Sequence, residues 1–363
     1  MEQRELLLLK KSFRTFLLAL VAAVAICGAA AAGDDPFFIN VDFSVTNFGW
    51  EKLADGAQVQ VRVLRPVVRP APFPAVIIVP PLDRAALAAK SDRWSKSVAR
   101  EMDLAELCAQ NGVAAVLFNP PGQGNGDFKS TGPDGRGGYM AQDALGQVIL
   151  AVAAMDFIDK DNIGIYSEGD GLSMAAGALA RNSEIKVRWL IDADGPWDNL
   201  EMSGVPWDKI TSEAPREKLT RAEVYFQHKP TTEDASPENV DWWRRREPKV
   251  FASSLRVKYY QRVQFEYDRA QPPGYFAHAL RMYEAVRLSQ VPHLRFNHQP
   301  WDAELPLSRV PQPVPGRLDD VYPDGPGKWI IEQARMADDL PDRVIPEAPA
   351  PDPSALPHPF SLY

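Results

Sequence analysis

Ile163-Gly164-Ile165-Tyr166-Ser167-Glu168-Gly169-Asp170-Gly171-Leu172-Ser173-Met174-Ala175-Ala176-Gly177 passes from an apolar β-like run, through small residues, into an alanine-rich helical pattern. A strand that turns this sharply into a helix leaves no room for large side chains two positions before and two after the apex. Ser167 and Gly171 meet both requirements and put Gly169 at the apex. Other registers fit less well. An apex at Ser167 places bulky Ile165 at a small position, and apices at Glu168 or Asp170 place Tyr166 or Glu168 there. Ser173 has Gly171 and Ala175 at the right offsets but falls within the first turns of the helix, where packing against the sheet is expected.

Outward from this stretch, the chain alternates strand and helix patterns. Phe38 to Val45 and Val59 to Leu64 read as antiparallel opening strands, because apolar and polar residues alternate along them. Ala75 to Val79 and Val113 to Phe118 are continuous apolar runs, as in strands covered on both faces. Helical patterns lie at Trp94 to Gln110, Tyr139 to about Asp156 and Phe276 to Leu288, with further strands at Val187 to Asp192, Tyr260 to Phe265 and His293 to Phe296. This rhythm predicts an α/β protein with a doubly wound, mostly parallel sheet of about eight strands.

Two segments fall outside the rhythm. Residues 197 to 256 are polar, carry Trp197, Trp207, Trp242 and Trp243, and interrupt the sheet as a lid-like insertion. The arginines 244 to 246 at its end read as a solvated face. From Pro300 onward the chain holds 14 of its 33 prolines, so residues 300 to 363 read as a tail that wraps the domain, reaches a partner or stays disordered, with one helix from Lys328 to Leu340.

The first 32 residues have the form of an export signal: a basic flank at Lys10, Lys11 and Arg14, an apolar stretch from Phe16 to Cys27, and small residues at Ala30 to Ala32. Cleavage there gives a periplasmic or extracellular protein beginning near Gly33. An uncleaved segment would instead associate the chain with a membrane. Cys108 is then the one cysteine left, and its helical setting marks it as a small buried apolar residue.

With 363 residues, of which 45% are hydrophobic and 10% aromatic, the chain is ample for a packed core. Its net charge of −8 argues against nucleic acid as a partner, since phosphate binding needs a concentrated positive field. Gly122-x-Gly124-x-Gly126 is not a dinucleotide fingerprint, because no helix opens at its third glycine. No cofactor is expected. Asp192, Asp194 and Asp198 cluster after a strand without a histidine or cysteine, which reads as a hydrated loop and not a metal site.

Over roughly Asp55 to Asn297 the chain resembles the α/β-hydrolase superfamily, especially its branch of secreted esterases and prolyl-peptidase-like acyl hydrolases. The likeness rests on residues 53 to 66 as opening hairpin, Phe73 to Leu82 as third strand and oxyanion-hole loop, and Phe118 to Phe128 as the loop after the fourth strand. In that last loop Pro121 and Gly126 replace the arginine and serine of the usual D-x-R-G-x-G-x-S pattern.

The resemblance implies a nucleophile, an acid and a histidine in that order. It places Asp268 at the acid position, His298 near the histidine position and the backbone N–H groups of Leu82 and Asp170 in the oxyanion hole. His298 reads equally as a structural or exposed residue, and His228, His278 and His293 are worse placed. Where the family has its nucleophile this chain has Gly169, which offers no group to attack with. Two functional readings follow. In the first, an exported esterase-like pseudoenzyme binds an unidentified small molecule or protein, or serves in an assembly. In the second, a secreted serine esterase or peptidase uses a displaced nucleophile, Ser167 with Asp268 and His298; an aspartate nucleophile at Asp170 is a weaker variant.

Overall fold

The protein is described by a computed structural model covering residues 37–41, 57–66, 70–82, 95–124, 129–206, 209, 219–268, 276–289, 291–303 and 313–336. The leader at 1–32, Gly126, Trp207 and the end of the proline-rich tail lie outside these residues.

The strands are β1 (Phe37–Val41), β2 (Ala57–Leu64), β3 (Phe73–Val79), β4 (Ala114–Phe118), β5 (Ile158–Glu168), β6 (Trp189–Ala193), β7 (Tyr259–Val263) and β8 (His293–Phe296). They form one eight-stranded sheet in the order β1-β2-β4-β3-β5-β6-β7-β8. Only β1–β2 and β2–β4 pair antiparallel; every later pair is parallel. Every residue of β3, β4, β6 and β7 is buried, as expected for parallel strands covered on both faces.

Helices cover both faces. On one side lie α1 (Ser95–Gln110) and the late helix α8 (Asp324–Arg335), which bring Leu104, Cys108, Trp329 and Ile330 against Val76, Ile78, Tyr166 and Ile191. On the other lie α2 (Tyr139–Ala153), α3 (Gly171–Arg181) and α7 (Ala277–Arg287), packed on Ile77, Val116, Ile165 and Leu190. Cys108 is wholly buried on the first face, and burial pushes its thiol up to about 12. None of the described helices is long and apolar enough to cross a membrane.

Of the outcomes open for the tail, its described residues take the first and pack on the domain, with different helix bounds. Its helix begins at Asp324, earlier than the expected Lys328, and ends at Arg335. Trp329 and Ile330 are buried in the core, and Val314 forms a parallel bridge with Phe265. Prolines exclude a helix or central strand only where they interrupt hydrogen bonding, and here Pro326 sits in the first turn of α8, where its missing N–H costs little. The sheet domain therefore continues to Met336.

Between β6 and β7 the chain forms α4 (Asn199–Met202), a π-helical turn (Ala222–Phe226), α5 (Pro237–Arg244) and α6 (Pro248–Ala252). Ser236 caps α5 by accepting from the Asn239 N–H at 3.3 Å, with Pro237 following in the first turn. Trp243 is fully buried and Trp197 packs against the core, so these indoles hold the insertion down. The arginines differ from expectation. Arg244 is exposed, but Arg245 and Arg246 are buried, Arg246 donating to the carbonyls of Gly135, Arg136 and Trp242 at 2.6–3.0 Å. The turn-rich loop at Gly135 leaves carbonyls that a guanidinium fork can satisfy, and this draws a charge out of water.

Candidate functional site

The apex forms where β5 runs into α3. Gly169 has φ +52, and its N–H donates to the Ala193 carbonyl at 2.8 Å, so it lies one step beyond the β5–β6 ladder. Leu172 and Ser173 donate back to Gly169 and Asp170, closing the first helical turn. A methyl group on Gly171 would lie 2.5 Å from the Pro80 carbonyl oxygen and 2.9 Å from that of Val79, so the end of β3 demands glycine there. Gly169 faces no such wall. Beyond its chain neighbours, the nearest atom to a methyl group there is Pro81 Cγ, at 3.9 Å. The register read from the sequence is thus the observed one, and the apex has space for a side chain that it lacks.

Both neighbours of the apex are engaged. Glu168 is buried and accepts from Arg100 Nη2 at 3.0 Å, while Arg100 also pairs with Asp319. Asp170 is buried against Arg221, a fully buried arginine of the insertion that donates to Asn199 Oδ1 at 2.7 Å. Asn199 in turn donates to Ser173 Oγ at 2.8 Å and to the Arg246 carbonyl at 2.6 Å. Ser173 is therefore a structural hydroxyl joining α3 to the insertion. Ser167 is wholly buried in β5, and its Oγ points to the Ile191 carbonyl at 3.4 Å.

Of the two residues expected to form an oxyanion hole, Asp170 follows the apex in the chain and Leu82 follows Pro81. Leu82 is buried, accepts on its carbonyl from Gln123 Nε2 at 3.3 Å, and lays its side chain against Gly137. The Pro81 ring before it is what faces Gly169.

Asp268 lies buried beyond the end of β7, accepting from Gln264 Nε2 at 3.0 Å. The same amide donates to Asp194 Oδ1 at 3.2 Å, so one NH₂ group bridges two carboxyls. Asp194 follows β6 with φ +56 and accepts from the Phe265 N–H at 2.7 Å. Burial first, then the charge of Asp268, holds the Asp194 carboxyl well above its usual range. Beneath this pair, Asp192 binds Arg262 at 2.8 Å, Tyr260 at 2.6 Å and the Gly195 N–H at 3.0 Å. Asp192, Asp194 and Asp198 are all buried, which corrects the expected hydrated loop: side-chain donors from β7 and its following loop, and Lys249 for Asp198, replace water.

His298 lies elsewhere. It is exposed after β8, with its ring 6.0 Å from that of Trp329 on α8. Partial burial, Arg295 and Lys328 lower its pKa. The three candidates make separate contacts: His298 lies by Trp329, Asp268 accepts from Gln264 and Ser167 points to the Ile191 carbonyl. The remaining described histidines serve the framework or the insertion. His278 accepts from the Trp197 N–H at 3.1 Å and is driven down to about 3 by burial, His293 bonds Asp302 at 2.9 Å, and His228 stacks on Trp242.

Sequence reasoning missed Arg221, Arg100 and Gln264. All three are long polar residues, each with a carboxylate partner 51 to 70 positions away (Asp170, Glu168 and Asp194), and local pattern carries no sign of those pairings. Among the described residues no group of three or more His, Cys, Asp or Glu side chains is arranged to hold a metal ion.

No family model and no curated protein matches the sequence. Solved structures do match. A 2,6-dihydroxy-pseudo-oxynicotine hydrolase superposes with TM-score 0.52 at 14% identity, over 83% of this chain and 69% of that one. A puromycin hydrolase superposes with TM-score 0.50 at 15% identity, over 83% of this chain and 38% of that one. At such identity the likeness concerns the fold, and together with the strand order and the sharp β5–α3 turn it establishes the α/β-hydrolase fold.

Proposed function

We propose that this protein is an exported, non-catalytic α/β-hydrolase-fold protein that acts as a binding or assembly component. One observation carries the proposal: Gly169 holds the apex in the left-handed conformation, with space for a nucleophile and no side chain to fill it. Removing a catalytic serine costs about six powers of ten in kcat where it has been measured, so a triad without one is nearly inert. The carboxylates on either side do not replace it, since Glu168 and Asp170 are each closed against a guanidinium. The fold itself loses nothing by the change, because glycine adopts positive φ without the strain another residue pays there.

Fluorophosphonate labelling of the purified protein tests the reading. No label is expected; stoichiometric label on a peptide spanning residues 160 to 182 overturns it. The displaced-nucleophile reading makes the opposite demand, hydrolysis of short acyl esters that disappears in Ser167→Ala. The complete burial of Ser167 Oγ against a strand carbonyl weighs against it. Export rests on the leader-like sequence alone, and a mature N-terminus at or near Gly33 in the periplasm or medium is the expected result of terminal sequencing.

A further inference from the structure

The insertion contains a cleft of about 510 Å³ that the apex does not use, within the range of small-molecule sites. Its back wall is closely packed. The His228 imidazole stacks on the Trp242 indole with centroids 3.7 Å apart and planes 16° from parallel. The far face of that indole is closed by the Arg246 guanidinium at 3.5 Å, and Phe226 and Trp243 meet it edge-on. With both faces of the indole taken, the flat surface that the wall offers a ligand is the outer face of the His228 imidazole, which lines the cleft.

The charged groups around the wall are mostly acidic: Asp234, Glu238 and Asp241, with Arg245 as the cation of the lining. Arg245 is buried, pairs with Asp241 at 2.5 Å and lies over the Tyr139 ring, so its charge is matched within the framework. Asp234 receives the Ser236 N–H, which lowers its pKa and keeps it ionised, while burial lowers His228 and keeps the imidazole neutral near pH 7. Two further cations bear on the cleft. Lys229 is exposed on the loop leading to Asp234, and Arg246 is bound to three carbonyls behind the indole.

From these contacts we infer that the insertion cleft is a binding site for a small organic cation with a flat apolar body, its ammonium group facing Asp234 and Glu238 and its body stacked on the face of His228 turned away from Trp242. The site is separate from the apex, so the inference stands or falls independently of whether the apex is inert.

Calorimetric titration with three indoles of matched shape tests it: tryptamine, uncharged tryptophol and indole-3-acetate. Tryptamine is expected to bind one to one, tryptophol more weakly, and indole-3-acetate not at all. Glu238→Gln, an exposed position whose loss leaves the fold intact, should weaken tryptamine about fivefold, the worth of roughly 1 kcal/mol for one partly exposed ion pair, and leave tryptophol unchanged. His228→Ala should weaken both. Absence of tryptamine binding at millimolar concentration, equal binding of the carboxylate, or tryptamine affinity unchanged in both variants would each overturn the inference.

Discussion

On the readings proposed above, the β5–α3 turn and the insertion cleft play separate parts, one structural and one of recognition. At the turn, the backbone keeps a left-handed apex with no attacking group on it: Gly169 is bare, and the carboxylates beside it are buried and paired with Arg100 and Arg221. In the cleft the side chains carry the interest, with the stacked His228 and Trp242 rings lining it beside Asp234, Glu238 and Asp241. A fold can thus keep its most demanding turn for structural reasons and place recognition elsewhere. The turn joins two layers of the core, so losing it would cost the domain, whereas losing a nucleophile costs only the reaction.

The largest expected effect tests the pairing at the turn. Arg221→Ala leaves the Asp170 carboxylate buried without its partner, a change that typically costs about 3–5 kcal/mol. A large drop in the urea midpoint at neutral pH is the expected result. An unchanged midpoint would show that the insertion does not secure the turn.

Next is a proton-linked effect at the base of the insertion. Glu247 is fully buried, and burial, then the neighbouring Asp198, raises its carboxyl to about 7 despite Lys249 at 3.1 Å. Because the folded pKa lies above the ordinary value of 4.5, the folded state holds this proton more tightly than the unfolded chain. Stability should fall as pH rises from about 4.5 to about 7 and level off above, by roughly 3 kcal/mol in all. Glu247→Gln should flatten that slope and raise the midpoint at pH 8; a slope that survives the substitution places the titration elsewhere.

The third contrast sits within the turn itself. Gly171→Ala drives a methyl group against the Pro80 carbonyl and should cost about 2 kcal/mol or more. Gly169→Ala has room and should cost about 1 kcal/mol, from positive φ alone. Equal costs would mean that space is not what distinguishes the two glycines. The smallest expected effect is chemical: Gly169→Ser should fold at a similar cost and still resist fluorophosphonates, because His298 lies against Trp329. Rapid labelling of that variant would reveal a base within reach of the apex.

Much of the framework was legible beforehand because it is periodic. The buried strands β3, β4, β5 and β6 and the helices α1 and α2 begin or end within a few residues of the apolar patterns that announced them. The apex register was legible for a steric reason, since only small residues survive beside Pro80 and Val79. What escaped were contacts between distant polar groups. Three arginines in a row gave no hint that two are buried, because two of the three carbonyls that hold Arg246 lie 110 and 111 residues earlier. Nor does a proline-rich tail announce that its tryptophan will complete the core.

From the sequence alone came the layered α/β architecture, the glycine at the apex and the absence there of a side chain able to attack, since periodicity and local sterics act over a few neighbouring residues. The tertiary structure alone decided that Glu168 and Asp170 are tied to Arg100 and Arg221, that Asp268 shares an amide with Asp194, and that His298 rests on Trp329. Those outcomes depend on which charges and donors the folded chain brings together once water is excluded, and such pairings have no period to read.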